Sequence, residues 1–183
     1  MPAAHLYIAE GFEEVELVTV ADVLRRAGIE VRLVALDARL EVAGAHGVVI
    51  RADCSFAEAT DLADAIVLPG GGPGTQRLLS CSALHARLRA HLQAGCRVAA
   101  ICAAPMVLAK AGVLQGRRAC CYPGCEEALR QGAAEVSQEP VVTDGLLITS
   151  RGPATAASFA LELVRLLVNE VRAAEVARGM LIA

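Results

Sequence analysis

The chain has 183 residues, 55% of them hydrophobic, with seven cysteines and a formal net charge of −3. That length suits one folded domain spanning 1–183 with a full core. No apolar run approaches the roughly 20 residues of a membrane span, and no basic block or aromatic platform invites nucleic acid, so neither a membrane nor a nucleic-acid partner is expected.

The start, "MPAAHLYIAEG", has no Lys or Arg ahead of its short apolar run, and Glu10 ends that run early. It reads as a first strand and not as a signal peptide. An odd cysteine count without a secretory signal fits a reducing cytoplasm and free thiols. "EEVELVTVADVLRRAG" reads as a helix, with acids in its first turn, arginines in its last and Gly28 as its stop. "IEVRLVAL" is a second strand, and "RLEVAGAHGVVIRA" reads as two short strands around a Gly44/Gly47 turn. "DAIVLPGGGPG" is a buried strand running into a glycine-rich turn, and residues 82–94 form an amphipathic helix. "RVAAI" is another buried strand, followed at once by the helix "AAPMVLAKAG". "EPVVTDGLLITS" is a hairpin around Asp144-Gly145. "ATAASFALELVRLLVNEV" is one long apolar-faced helix.

The strands after the first helix are continuous apolar runs, as strands covered on both faces are. The alternation of strand and helix predicts an α/β fold with a mostly parallel central sheet and helices on both faces. Sites in such sheets lie beyond the carboxyl ends of strands.

Cys102 stands at one such end, between "RVAAI" and the next helix. Free N–H groups and the helix dipole there favour a thiolate, and a sharp strand-to-helix turn lifts a nucleophile out of the sheet. A small buried cysteine fits the same corner, so the local pattern leaves both readings open. Glu16 adds a second group. On the first helix Glu14, Asp22 and Arg25 mark the solvated face, and Glu16 lies about 180° from Arg25 and about 160° from Glu14. Its own face carries Phe12, Val20, Val23 and Ala27. The carboxyl therefore points inward, where burial raises its pKa and favours a protonated hydrogen-bond donor.

"LPGGGPGT" fits neither a Walker loop nor G-x-G-x-x-G, so a nucleotide is not expected. Its backbone suits an oxyanion-holding turn or a plain tight turn. "ACCYPGC" has no histidine or second cysteine pair at metal-site spacing, so no metal is predicted. No histidine follows Cys102, which removes a triad of cysteine and downstream histidine, and His91 beside Arg87 reads as solvated.

With these residues in hand, the chain resembles the ThiJ/PfpI superfamily, nearest the branch of Parkinson disease protein 7 and its bacterial relatives. The resemblance rests on "GFEEVE" (11–16), "DVLRRAGIEV" (22–31), "VLPGG" (67–71), "AAICAAP" (99–105) and "TSRGPAT" (149–155). It implies a flavodoxin-like three-layer sandwich, a homodimer and no cofactor. It implies that Cys102 is the nucleophile and Glu16 its protonated partner, with the N–H groups of Gly71 and Ala103, beside Gly70, at the oxyanion position. It places Tyr122, Pro123 and Arg151 around the pocket and Arg26 and His46 on the dimer side. Relatives are described as glyoxalases or deglycases that act on methylglyoxal and its adducts, and as redox sensors whose cysteine becomes a sulfinate. Ala103 stands where protease-like relatives carry histidine, which removes a peptidase base. Tyr122 stands before Pro123 where Parkinson disease protein 7 carries histidine, as aromatic residues do in some bacterial relatives. The implied function is a cysteine-dependent glyoxalase or deglycase taking small reactive carbonyls; the alternative is a redox sensor or chaperone-like stress protein.

Overall fold

A computed structural model describes residues 1–132 and 134–182. In chain order the elements are β1 (Ala3–Ile8), α1 (Glu14–Arg26), β2 (Glu30–Ala35), β3 (Glu41–Ala43), β4 (Val49–Arg51) and β5 (Cys54–Ser55). Then come β6 (Ala65–Leu68), α2 (Gly72–Ser80), α3 (Ser82–Gln93), β7 (Arg97–Ile101) and α4 (Pro105–Lys110). The last third holds β8 (Arg118–Ala119), α5 (Glu126–Gln131), β9 (Glu135–Val136), β10 (Val141–Asp144), β11 (Leu147–Ser150), α6 (Ala156–Leu167) and α7 (Glu170–Gly179). Among the described residues no helix is long and apolar enough to cross a membrane.

Seven strands form the central sheet in the order β10-β11-β7-β6-β1-β2-β5, and only β10 runs antiparallel to its neighbour. Successive strand residues face opposite sides, which splits the core in two. Leu6, Ile8, Val67, Ile101 and Ile148 pack under α1 and α6 with Leu17, Val20, Phe159 and Leu163. Tyr7, Ile66, Leu68, Val98 and Ala100 pack against Leu78, Leu84, Leu88, Val107 and Leu129 on the other face. The result is the predicted three-layer α/β sandwich. β1 joins β2 on one side and β6 on the other, so the crossovers reverse direction there and the crevice opens above the carboxyl ends of β1, β6 and β7.

Three expectations need correcting. The last helix is not continuous: Val168 leaves the helical region, and Asn169 caps a new helix by accepting the Arg172 N–H at 2.8 Å. Asparagine is a strong N-cap, and that local bond outweighs continued apolar periodicity. Glu14 is not on a solvated face but is 8% exposed, because the β3–β4 hairpin folds back over it. His91 is likewise buried, at 3%.

His91 is one of three buried imidazoles with His5 and His85, each with one ring nitrogen without a hydrogen-bond partner. Burial holds all three below the ordinary histidine value of 6.5. The fold therefore favours the neutral rings, and their contribution is complete above pH 6.5 and lost as the pH falls below it. Thermal denaturation at pH 7.5 and pH 5.0 should show a smaller acid loss in His91→Gln than in the parent chain. An equal loss in both would show that His91 is not an acid-sensitive point.

Candidate active site

β7 ends at Ile101, and Cys102 adopts φ 65°, the left-handed region that costs a non-glycine residue about 1–2 kcal/mol. The turn is held from both sides. The Cys102 N–H donates to the Ser150 carbonyl at 3.0 Å, and the Tyr122 N–H donates to the Cys102 carbonyl at 2.8 Å. The strained corner thus stays fixed because β11 and the segment after β8 clamp its backbone, as strained functional corners must be.

α1 supplies the acid. Glu13 caps this helix, its carboxylate accepting the Glu16 N–H at 2.7 Å. One turn later the Glu16 side chain is fully buried, and its Oε2 accepts the Gly70 N–H at 2.7 Å. Oε1 is buried without a partner. β6 supplies the third part, since its carboxyl end runs straight into Gly70 and Gly71. A Cβ at Gly70 would lie 2.6 Å from the Cys102 Cβ, 2.9 Å from Glu16 Oε2 and 3.0 Å from the Cys102 Sγ. Gly71 has φ 92°, and a Cβ there would meet the Gly11 carbonyl. Both glycines are therefore required, one for the close approach and one for the backbone turn. Gly70→Ala should displace the thiol and the carboxyl together and destabilise the fold by about 1–3 kcal/mol. A denaturant midpoint equal to that of the parent chain would refute this contact.

Burial pushes Glu16 from 4.5 to about 7, against the Gly70 and Cys102 hydrogen bonds, which favour its anion. Burial also pushes the Cys102 thiol up to about 12; the charge and hydrogen bond of an ionised Glu16 add to this, and the N–H groups of Ala103 and Gly71 oppose it. Two anions do not share this dry corner, so the pair gives up its first proton near neutrality and keeps the second. A helix dipole at this corner was expected to favour the thiolate. α4 instead begins three residues later, at Pro105, and spans only six residues. Thiolate formation here depends on Glu16 taking the thiol proton and on the N–H groups of Gly71 and Ala103, which favour the sulfur anion.

Cys102, Glu16, Gly70, Gly71 and Ala103 thus meet at one point. Gly70 serves the carboxyl, while Gly71 and Ala103 serve the sulfur. Tyr122 is half-exposed, its ring 3.3 Å from where a Cβ on Gly152 would stand, with Pro123 exposed beside it. The Arg151 guanidinium reaches the Gln138 carbonyl at 3.4 Å, and its charge acts on Cys120 and Cys121. Arg26 lies outside the site, paired with Asp22 at 2.8 Å. His46 contacts Glu14, at 3.0 Å. Sequence reasoning did not find Ser150, whose carbonyl holds the Cys102 N–H. Its hydroxyl contacts Thr155 at 2.6 Å and donates to the Pro140 carbonyl. The "TSRGPAT" motif was the available signal.

The model of the DJ-1/PfpI family matches residues 3–166. Protein dj-1beta of Drosophila melanogaster is 42% identical over 182 residues, covering 99% of this chain and 97% of that protein. Its crystal structure superposes with a TM-score of 0.95, at 41% identity, over 100% of this chain and 98% of that one. A protein named as a deglycase from Pyrococcus abyssi is 36% identical over 87% of this chain and 95% of its own length. A glutathione-independent glyoxalase from Caenorhabditis elegans is 33% identical over 86% of this chain and 84% of its own length.

Proposed function

The chain belongs to the DJ-1/PfpI family, and from that premise we propose that it is a cysteine-dependent enzyme converting methylglyoxal-type 2-oxoaldehydes, or their adducts, without glutathione. One observation carries the reading: a thiol at a strained strand end faces a buried acid of raised pKa and two backbone N–H groups. The names of the deglycase and glyoxalase relatives support it.

The Cys102 Sγ adds to the aldehyde carbon, and the carbonyl π pair moves to oxygen, giving a hemithioacetal oxyanion. The N–H groups of Gly71 and Ala103 stabilise that oxygen, and Glu16 takes the thiol proton as the bond forms and delivers it there. Moving the C1 proton to C2 then yields a thioester of the 2-hydroxy acid. Water hydrolyses this, releasing lactate and the thiol, so the net change is addition of one water to methylglyoxal. An acid with a value near 7 is well placed to give and retake protons at neutral pH. No peptide hydrolysis is expected, because Ala103 offers no base.

Incubation of the purified protein with methylglyoxal, without glutathione, should yield lactate in step with aldehyde loss; absence of lactate would sink the proposal. The reactive pair carries one proton fewer than the acid form, so kcat/KM should rise with pH through a midpoint near 7. A flat profile from pH 6 to pH 8 would argue against this pair.

A second reading rests on the same geometry. The N–H groups of Gly71 and Ala103, with a protonated Glu16, suit a cysteine sulfinate equally well, which makes a redox sensor. Mild peroxide should then add two oxygens to Cys102 before any other cysteine, and random oxidation would count against it. We place the homodimer on the exposed Val15 and Val18 of α1 and Val48 and Val49 of the β3–β4 hairpin, an apolar surface suited to a second copy. Light scattering that returns a monomer mass would remove it.

A further inference from the structure

Besides the Cys102 pair, the described residues hold one more group of convergent ligating atoms. Glu13, Glu14 and His46 each direct one ligand atom to a point where all three lie within 4.8 Å of one another. Glu14 Oε2 and His46 Nδ1 are 3.0 Å apart.

The Glu14 carboxylate is built in, not draped on the surface. Oε1 accepts the His46 N–H at 2.6 Å and the Val48 N–H at 3.5 Å. The turn carrying these donors presses so closely that Gly44 has no room for a side chain, since a Cβ there would fall on the Glu14 carboxyl. Such backbone bonds orient a carboxylate and leave its other oxygen free to ligate, as outer-sphere partners do at metal centres. Glu13 spends one oxygen on the Glu16 N–H and keeps the other. Among the described residues, neither carboxylate pairs with an arginine or lysine. Two anions and one imidazole thus converge without a fixed cation to balance them.

We propose that Glu13, Glu14 and His46 bind one zinc ion, through one carboxylate oxygen from each glutamate and Nδ1 of the imidazole. One nitrogen and two carboxylate oxygens suit a borderline divalent ion, with water completing a tetrahedron. A nitrogen and an oxygen 3.0 Å apart both reach an ion at about 2.0–2.2 Å, so that edge needs little adjustment, and Glu13 closes the remaining gap by side-chain rotation. Nδ1 ligates through its lone pair, so in the bound form the ring proton sits on Nε2. The ion ties the start of α1 to the β3–β4 turn. That turn also carries Val48 and runs into Val49 of β4, so the ion lies at the margin of the apolar surface and is counted per chain in the assembled protein. The site does not depend on the carbonyl chemistry proposed above.

Cobalt reports the ligands directly. Chelator-treated full-length protein titrated with Co2+ should take up one ion per chain, with visible d–d bands and no thiolate charge-transfer band, and Zn2+ should displace it. His46→Ala and Glu13→Gln should each weaken binding at least about tenfold, while Cys102→Ser should leave it unchanged. His46 is 76% exposed, so its truncation does not threaten the fold. A thiolate charge-transfer band, parental affinity in His46→Ala, or no uptake at all would overturn the assignment.

Discussion

Cys102→Ser is expected to lower lactate formation from methylglyoxal by on the order of 10^4-fold while leaving the fold in place. The substitution keeps the shape of the corner and changes the chemistry. The serine hydroxyl occupies the position of the thiol, and the backbone clamps at Ser150 and Tyr122 do not involve the side chain. An alcohol, however, gives up its proton far less readily than a thiol, and Glu16 near 7 is too weak a base to take it. The oxyanion donors and the acid remain, but no nucleophile is left for them to serve. The control is Cys121→Ser. Cys121 is also buried and its thiol is also pushed up to about 12, chiefly by burial, but neither Glu16 nor a backbone N–H is among the groups acting on it. That variant should keep the parent rate. Equal rates for Cys102→Ser and the parent chain would end the covalent reading. Equal loss in both variants would show that the activity follows general thiol content.

The strands were legible because they are buried. "RVAAI" and "DAIVL" lie between two helical layers, so their apolar character is continuous and their ends are sharp. The hairpin at Asp144-Gly145 was legible from its turn chemistry. Glu16 was legible from helical phase alone, because its face repeats Val20 and Val23, which are buried as predicted. Glu14 and His91 were misread for one shared reason. Helical phase says which residues lie together on a face but not what the chain later lays over that face. The β3–β4 hairpin covers Glu14, and the central sheet lies under α3, with His5 close enough for its charge to act on His91. α2 was not predicted, because "GPGTQRLLS" opens with residues that disfavour helix interiors. Here they stand at its first turn, where Pro73 loses no hydrogen bond and Gly74 meets the backbone of Gly11. Short elements such as β8, α5 and β9 carry too few residues for any period to show.

The strongest test of the acid lies in a substitution that should improve the fold as it removes the function. Glu16 has a folded value of about 7 against an ordinary 4.5. The folded chain therefore holds this proton more tightly than the unfolded chain does. The raised value costs nothing below about pH 4.5; the cost grows as the pH rises to 7 and is constant above. At 1.36 kcal/mol per unit the full cost is about 3 kcal/mol. Glu16→Gln cannot ionise, and its carboxamide oxygen still accepts the Gly70 N–H. Its NH2 then takes the place of the unpartnered Oε1, and leaving that donor unpaired returns about 1–2 kcal/mol of the gain. With chelator present, Glu16→Gln should thus be more stable than the parent chain at pH 8 by about 1–2 kcal/mol, or a few degrees in Tm. The advantage should disappear by pH 4.5. Lactate formation should fall by about 10^2–10^4-fold, since an amide neither holds nor delivers the proton. A variant less stable than its parent at pH 8 would show that the ionised carboxylate is well accommodated and would remove the basis for a shared proton. Greater stability with full activity would leave Glu16 a strained bystander. Greater stability with lost activity is the signature of a buried acid that the fold tolerates for the sake of its chemistry.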